Sequence, residues 1–197
     1  MNYGKHPKVY DESWLKKLPP VYLGGYYSDT KDMYCKGGVF SQIFKIDETI
    51  LTSSIRSVLA KIKETQSVGI HIRRGDLSDY NVVYGYPVTI DYLRDSIKLF
   101  FNRYATPVFY FFSDDSDYVQ NKVIPFLGFK INYWISNSGF ETVYEDFVLL
   151  SNCKDLITSK GTMGKYAALY NNAENVVISK DDNQYYILNG NCNIIKI

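Results

Sequence analysis

The stretch "SVGIHIRRGDLSDY", residues 67–80, decides how the rest of the chain is read. It opens as a short apolar run, Val68-Gly69-Ile70, and ends in His71, Arg73, Arg74 and Asp76. A continuously apolar run of this length reads as a strand buried on both faces. Alternation along it puts Ile70 and Ile72 on one face and Gly69 and His71 on the other. The arginines then arrive where the strand runs out. Gly75 permits a sharp turn, and Asp76 can brace an arginine or cap the next segment.

Outward from this strand the pattern repeats. "DETILTSSIRSVLAKIKET" predicts a helix before it, with Asp47 as N-cap and Leu51, Ile55, Val58, Leu59 and Ile62 on one face. "TIDYLRDSIKLFFNRY" predicts a second, capped by Thr89, with Ile90, Leu93, Ile97 and Phe101 facing the core. "PVFYFF" reads as a buried strand, and "DDSDYVQNKVIPFL" as a short helix stopped near Pro125 and Gly128. "FKINYW", "KDLITS" and "NVVIS" supply three more strands, with helices over "ETVYEDFVLLSNC" and "TMGKYAALYNN". Five strands alternating with helices imply an α/β fold, a doubly wound and mostly parallel Rossmann-like sheet over residues 47–197. Residues 1–46, rich in Tyr, Gly and Lys, read as a loop-rich lead-in.

The composition fits a folded soluble protein: 46% apolar residues and a net charge of +1. That balance gives no reason to expect nucleic acid or an anionic membrane as partner. Nineteen Tyr and eleven Phe serve mainly for packing. Cys35, Cys153 and Cys192 are odd in number and widely spaced, which suits reduced thiols rather than a zinc site or disulfide framework. The N-terminus has no apolar signal core, and no run approaches the roughly 20 apolar residues of a membrane span. The expected location is the cytoplasm, with contact to the inner membrane face limited to peripheral association.

A doubly wound sheet binds ligands at the carboxyl ends of its strands. Three polar clusters fall there. Arg73 and Arg74 suit bidentate phosphate binding and could stabilise a departing diphosphate; the competing reading is a surface ion-pair cluster. The tripeptide Arg74-Gly75-Asp76 also invites an integrin-ligand reading, which a sheet-edge position disfavours. In "FYFFSDDSD", Ser113 and Asp114 could meet a nucleobase or ribose. The same segment could instead cap a helix, or Asp115 and Asp117 could hold a divalent ion. In "LITSKGTMGKY", Ser159, Gly161 and Thr162 open a helix, an arrangement that binds anions through backbone amides, although an ordinary capped turn looks the same. The order of a Walker A loop is absent. Together the clusters describe a nucleotide-diphosphate pocket.

These segments resemble a known family. "VGIHIRRGD" is similar to the His-x-Arg-Arg-x-Asp motif of the α-1,2-fucosyltransferases, glycosyltransferase family 11, which are related to the α-1,6 and protein O-fucosyltransferases. "FYFFSDD" resembles their second motif and "EDFVLLSNCKDLITSKGTMGKYAALYNN" their third region; "YLGGYYSD" is similar to an upstream Gly-Tyr-Phe-Gln segment. The likeness runs over roughly residues 21–180. It implies the donor-binding half of a GT-B architecture and inverting transfer of L-fucose from GDP-β-L-fucose to a sugar hydroxyl, α-1,2 to a galactoside, in surface glycan synthesis. No cofactor or metal is implied. By matching position, Arg73 would grip the β-phosphate and help GDP leave, and Arg74 would support the loop. His71 and Asp114 would contact guanosine, and Thr162 with Ser159 would hold phosphate. Asp76 and His71 are the candidates for catalytic base. Two segments depart from the family. The Gly-Gly-Leu-Gly-Asn-Gln segment and its N-terminal domain are not seen, so a homodimer or a separate chain would complete the acceptor cleft. "KGTMGKYAA" stands where an aromatic Ser-Trp-Trp pattern is usual. Besides an active transferase, the sequence leaves open a GDP-binding domain without transfer, a metal-dependent nucleotide-sugar transferase, and an interaction module using the Tyr-rich N-terminal segment.

Overall fold

The computed structural model describes residues 45–78, 86–137, 143–170, 173–181 and 192–197. The predicted lead-in over residues 1–46 lies almost wholly outside them, as does the side chain of Asp76. A 3₁₀ turn, Glu48–Ile50, precedes α1, Ser53–Glu64, and β1, Gln66–Ile72. The short α2, Gly75–Ser78, follows. Next come α3, Ile90–Arg103, and β2, Pro107–Ser113. A helical run follows, made of α4, Ser116–Tyr118, a π segment, Val119–Val123, and α5, Ile124–Phe126. β3, Asn132–Ile135, α6, Val143–Leu150, and β4, Asp155–Ile157, come next. α7, Thr162–Tyr170, β5, Asn175–Ile178, and β6, Asn193–Lys196, complete the described elements.

The strands form one six-stranded sheet in the order β3-β2-β1-β4-β5-β6, parallel throughout. Each face carries its own core, as the apolar strands require. On one, Val68, Ile70, Ile72, Phe109 and Phe111 pack against Leu93, Ile97 and Phe100 of α3. On the other, Tyr110, Phe112 and Leu156 meet Leu59 and Ile62 of α1 and Val148, Leu149 and Leu150 of α6. Each fully buried side chain of this size contributes roughly 1.5–3 kcal/mol, so the two layers together hold β1 and β4 rigidly beneath the site. No described helix is long and apolar enough to cross a membrane. Cys153 and Cys192 are free thiols.

Several local expectations change. Asp47 caps only the 3₁₀ turn, through Thr49; the helix proper begins after Thr52, whose hydroxyl accepts from Ile55 N. On α3 the buried stripe is Tyr92, Leu93, Ser96, Ile97 and Phe100, whereas Phe101 is turned outward onto Phe129. Pro125 does not stop the helix. It falls at the start of α5, directly after the wider π turns, where a missing N–H costs little. Gly128, at φ +73°, is what ends the run. The sixth strand, β6, pairs with β5 at the sheet edge; its mostly exposed pattern gives it no buried-strand signature.

Candidate functional site

The strand order reverses direction between β1 and β4: the chain leaves β1 toward β2 on one side and β4 toward β5 on the other. Loops that diverge in this way open a crevice at the carboxyl ends of the strands. Residues 73–75 follow β1, residues 158–161 follow β4, and Asp114 and Asp115 follow β2. All three predicted clusters therefore meet at one edge.

The β1 and β4 loops are joined through Ser159. Its amide donates to His71 O at 3.1 Å. Its hydroxyl oxygen accepts from Arg73 N at 2.9 Å and lies 3.2 Å from His71 Nδ1. Both side chains are buried, His71 at 6% exposure and Ser159 at 1%. Burial, and then the positive charge of Arg73, lower the His71 pKa to about 4. The ring is therefore neutral at pH 7, with one nitrogen a donor and the other an acceptor. α7 comes very close to it. A Cβ on Gly164 would lie 2.9 Å from His71 Nδ1, so only glycine allows this helix to pack there. Gly161, at φ +123°, turns the chain into α7, and the Arg73 side chain lies against it: a Cβ there would fall 3.1 Å from Arg73 Cδ and 3.2 Å from Nη1. Thr162 is the exposed first residue of α7. The Tyr92 hydroxyl, 2.8 Å from Thr158 O and 3.2 Å from Val177 O, ties the loop after β4 to α3.

Arg74 goes the other way. Its Nε meets Asp115 Oδ2 at 3.2 Å, and its guanidinium carbon sits 3.6 Å from the centre of the Tyr118 ring. Asp115 also caps α4 through Tyr118 N, and its own amide donates to Ser113 Oγ at 3.0 Å. Asp114 is exposed, but both of its oxygens are engaged: Oδ1 accepts from Arg74 N at 2.8 Å and Oδ2 from Gly75 N at 3.0 Å. The acidic pair thus orders the arginine loop. Among the described residues, no three His, Cys, Asp or Glu side chains gather as a metal site.

One polar group at this edge is not among the candidates that the sequence singles out. Asp146 of α6 is 4% exposed and accepts from the hydroxyl of Ser136, the residue after β3. Burial raises its pKa to about 6. The sequence carried a signal for it, since Asp146 lies three and four residues before Leu149 and Leu150 and so shares their buried helical face. Lys165, in the first turn of α7, is likewise buried.

Several known proteins are similar to this chain. A rat galactoside α-(1,2)-fucosyltransferase 2 is 32% identical over 104 residues, which are 51% of this chain and 28% of the rat protein. The bovine galactoside α-(1,2)-fucosyltransferase 2 is 29% identical over 114 residues, 57% of this chain and 33% of the bovine one. A galactoside α-(1,2)-fucosyltransferase 1 from Aotus azarae is 28% identical over 142 residues, 66% of this chain and 37% of that one. The chain thus spans about a third of the length of the curated relatives it matches. Among solved structures, an Escherichia coli ADP-heptose LPS heptosyltransferase II aligns with a TM-score of 0.45 at 10% identity, over 74% of this chain and 44% of that one. Residues 15–186, which include the carboxyl ends of β1 to β5, match the family model described as glycosyl transferase family 11, and the chain belongs to that family.

Proposed function

We propose that the chain is the donor-binding part of a glycosyltransferase that moves L-fucose from GDP-β-L-fucose to a sugar hydroxyl, α-1,2 to a galactoside, with inversion. The observation that carries this reading is the cluster of Arg73, His71 and Ser159 at the switch point between β1 and β4, beside the N-terminus of α7. A diphosphate there would meet a guanidinium, a neutral ring and the amides of a helix start. In the reaction the bond from the anomeric carbon to the β-phosphate oxygen breaks, and a bond from the acceptor oxygen forms on the opposite face. The electron pair of the broken bond goes to the phosphate, where Arg73 stabilises the growing charge. The acceptor oxygen gives up its proton. His71 is 6% exposed and its Nδ1 lies against Ser159, so the ring is better suited to binding and orienting the donor, which leaves Asp76 as the candidate base.

The first test is thermal stabilisation by GDP against ADP and UDP, followed by GDP-fucose turnover in the presence of EDTA. Selective stabilisation by GDP and turnover that survives EDTA are expected. Arg73→Ala should lower turnover by roughly 10²–10³-fold, the range for losing one transition-state charge contact. Strict dependence on Mn²⁺, or full turnover by Arg73→Ala, would overturn the mechanism.

A further inference from the structure

The geometry points to Ser159 as a positioning residue whose hydroxyl sets the tautomer of His71, so that the neutral ring offers Nε2–H to the anionic donor nucleotide. This deepens the donor-site reading above and rests on it for the identity of the ligand. A serine hydroxyl has one hydrogen and two lone pairs. Arg73 N–H already fills one lone pair of Ser159 Oγ. The remaining hydrogen and lone pair face two neighbours: His71 Nδ1 at 3.2 Å and Lys160 O at 3.3 Å.

Two arrangements satisfy both the Ser159 hydroxyl and His71 Nδ1. In one, the hydroxyl donates to Nδ1 and the ring carries its hydrogen on Nε2. In the other, Nδ1–H donates to Oγ, the hydroxyl turns to Lys160 O, and Nε2 is a bare lone pair. They differ by one hydroxyl rotation and one ring proton. Nδ1 is occupied by Ser159 in both, so Nε2 is the nitrogen that meets a ligand. A phosphate oxygen repels the bare lone pair and attracts the N–H, which selects the first arrangement. The ring then donates without carrying a charge, and no second cation is placed beside Arg73. Because the same oxygen holds Arg73 N, the ring and the arginine turn are set together.

The test is ring ¹⁵N spectroscopy of the histidine-labelled 197-residue chain. The chain has two histidines, so a His6→Gln variant assigns His71. In the unmutated protein at pH 7.5, GDP should raise the ratio of the Nε2–H to the Nδ1–H form of His71 at least about fivefold, the worth of one modest hydrogen bond. His71 carrying its hydrogen on Nδ1 in the GDP complex would overturn the proposal without any Ser159 variant. In Ser159→Ala, checked for native amide dispersion, the ligand-free tautomer ratio should change and GDP affinity should fall about fivefold or more, and Ser159→Thr should restore both. An unchanged ligand-free ratio in Ser159→Ala would refute the role of Ser159. If GDP fails to bind the unmutated protein, the donor reading fails, and the ligand-free comparison still decides whether Ser159 sets the ring.

Discussion

Asp146→Asn should change how stability depends on pH, and the size follows from the burial of this carboxyl. Moving its pKa from 3.8 to about 6 means that the folded chain holds a proton the unfolded chain has released. The stability contributed by this group is fully present below pH 3.8 and is lost as pH rises through about 6. At roughly 1.4 kcal/mol per pH unit, the loss is on the order of 3 kcal/mol. Asparagine does not titrate, and its carbonyl can still accept from the Ser136 hydroxyl. Its extra N–H groups add a cost that is the same at every pH, so only the pH-dependent part of the comparison reports on the carboxyl. Subtracting the unmutated protein from the variant also removes every other titrating group. Urea unfolding at fixed ionic strength, followed by the fluorescence of Trp134, which packs near Phe112 and Tyr110, provides the readout. The variant should gain about 3 kcal/mol relative to the unmutated protein between pH 3.5 and pH 7.5. A difference that stays flat to within about 1 kcal/mol would refute the reasoning, because it would mean that Asp146 ionises like an exposed carboxyl.

His71→Gln should show the opposite slope. The depressed pKa of His71 contributes stability that is fully present above pH 6.5 and lost as pH falls toward about 4, so the variant should gain on the order of 3 kcal/mol over that interval in the same unfolding assay. Gly164→Ala sets about 1 kcal/mol of helix propensity against an overpacking cost of roughly 1–3 kcal/mol, because its Cβ would meet His71 Nδ1 at 2.9 Å. The ring must move away from Ser159, so a net loss of stability and weaker GDP binding are expected; a more stable variant with unchanged affinity would contradict the packing. Asp114→Ala should cost less than about 1 kcal/mol of stability, since the amides it frees are open to water. Calorimetry should nonetheless show weaker GDP binding as the arginine loop loosens, even though removing a negative charge alone would favour an anion; tighter binding would show that the loop does not need the carboxylate.

The parallel sheet was legible because its central strands are buried on both faces and carry unbroken apolar runs. That a ligand site would lie at the carboxyl edge followed from the alternation of strands and helices, whereas the switch point between β1 and β4 came only with the strand order. The features that escaped were set by forces outside the local pattern. β6 is an edge strand with a mostly exposed surface, and it forms by pairing with β5. The stripe on α3 is turned to Phe100 because the sheet decides which apolar residues face inward, and Phe101 finds Phe129 instead. At the site, the arginines, the histidine and the hydroxyl loop could each be placed at the carboxyl edge. That His71 and Ser159 touch could not be read, since they lie 88 residues apart and meet only through the β1–β4 register, which sets Ile70 beside Ile157. Nor could the sequence show that the carboxylates of Asp114 and Asp115 would be engaged by the arginine loop.

That register also accounts for two adjacent arginines at the end of β1. The strand is flanked by β2 on one side and β4 on the other, and each arginine goes to one neighbour. Arg74 lies over Tyr118 and pairs with Asp115, both following β2, while Asp114 holds the amides of Arg74 and Gly75. Arg73 leans the other way, with its amide on Ser159 and its side chain against Gly161, both following β4. The carboxylates lie on the Arg74 side. The same reasoning explains why a lysine would not serve equally at position 74: the contact there combines ring stacking with a directional Nε–H bond, which a planar guanidinium can make and a point-like ammonium cannot.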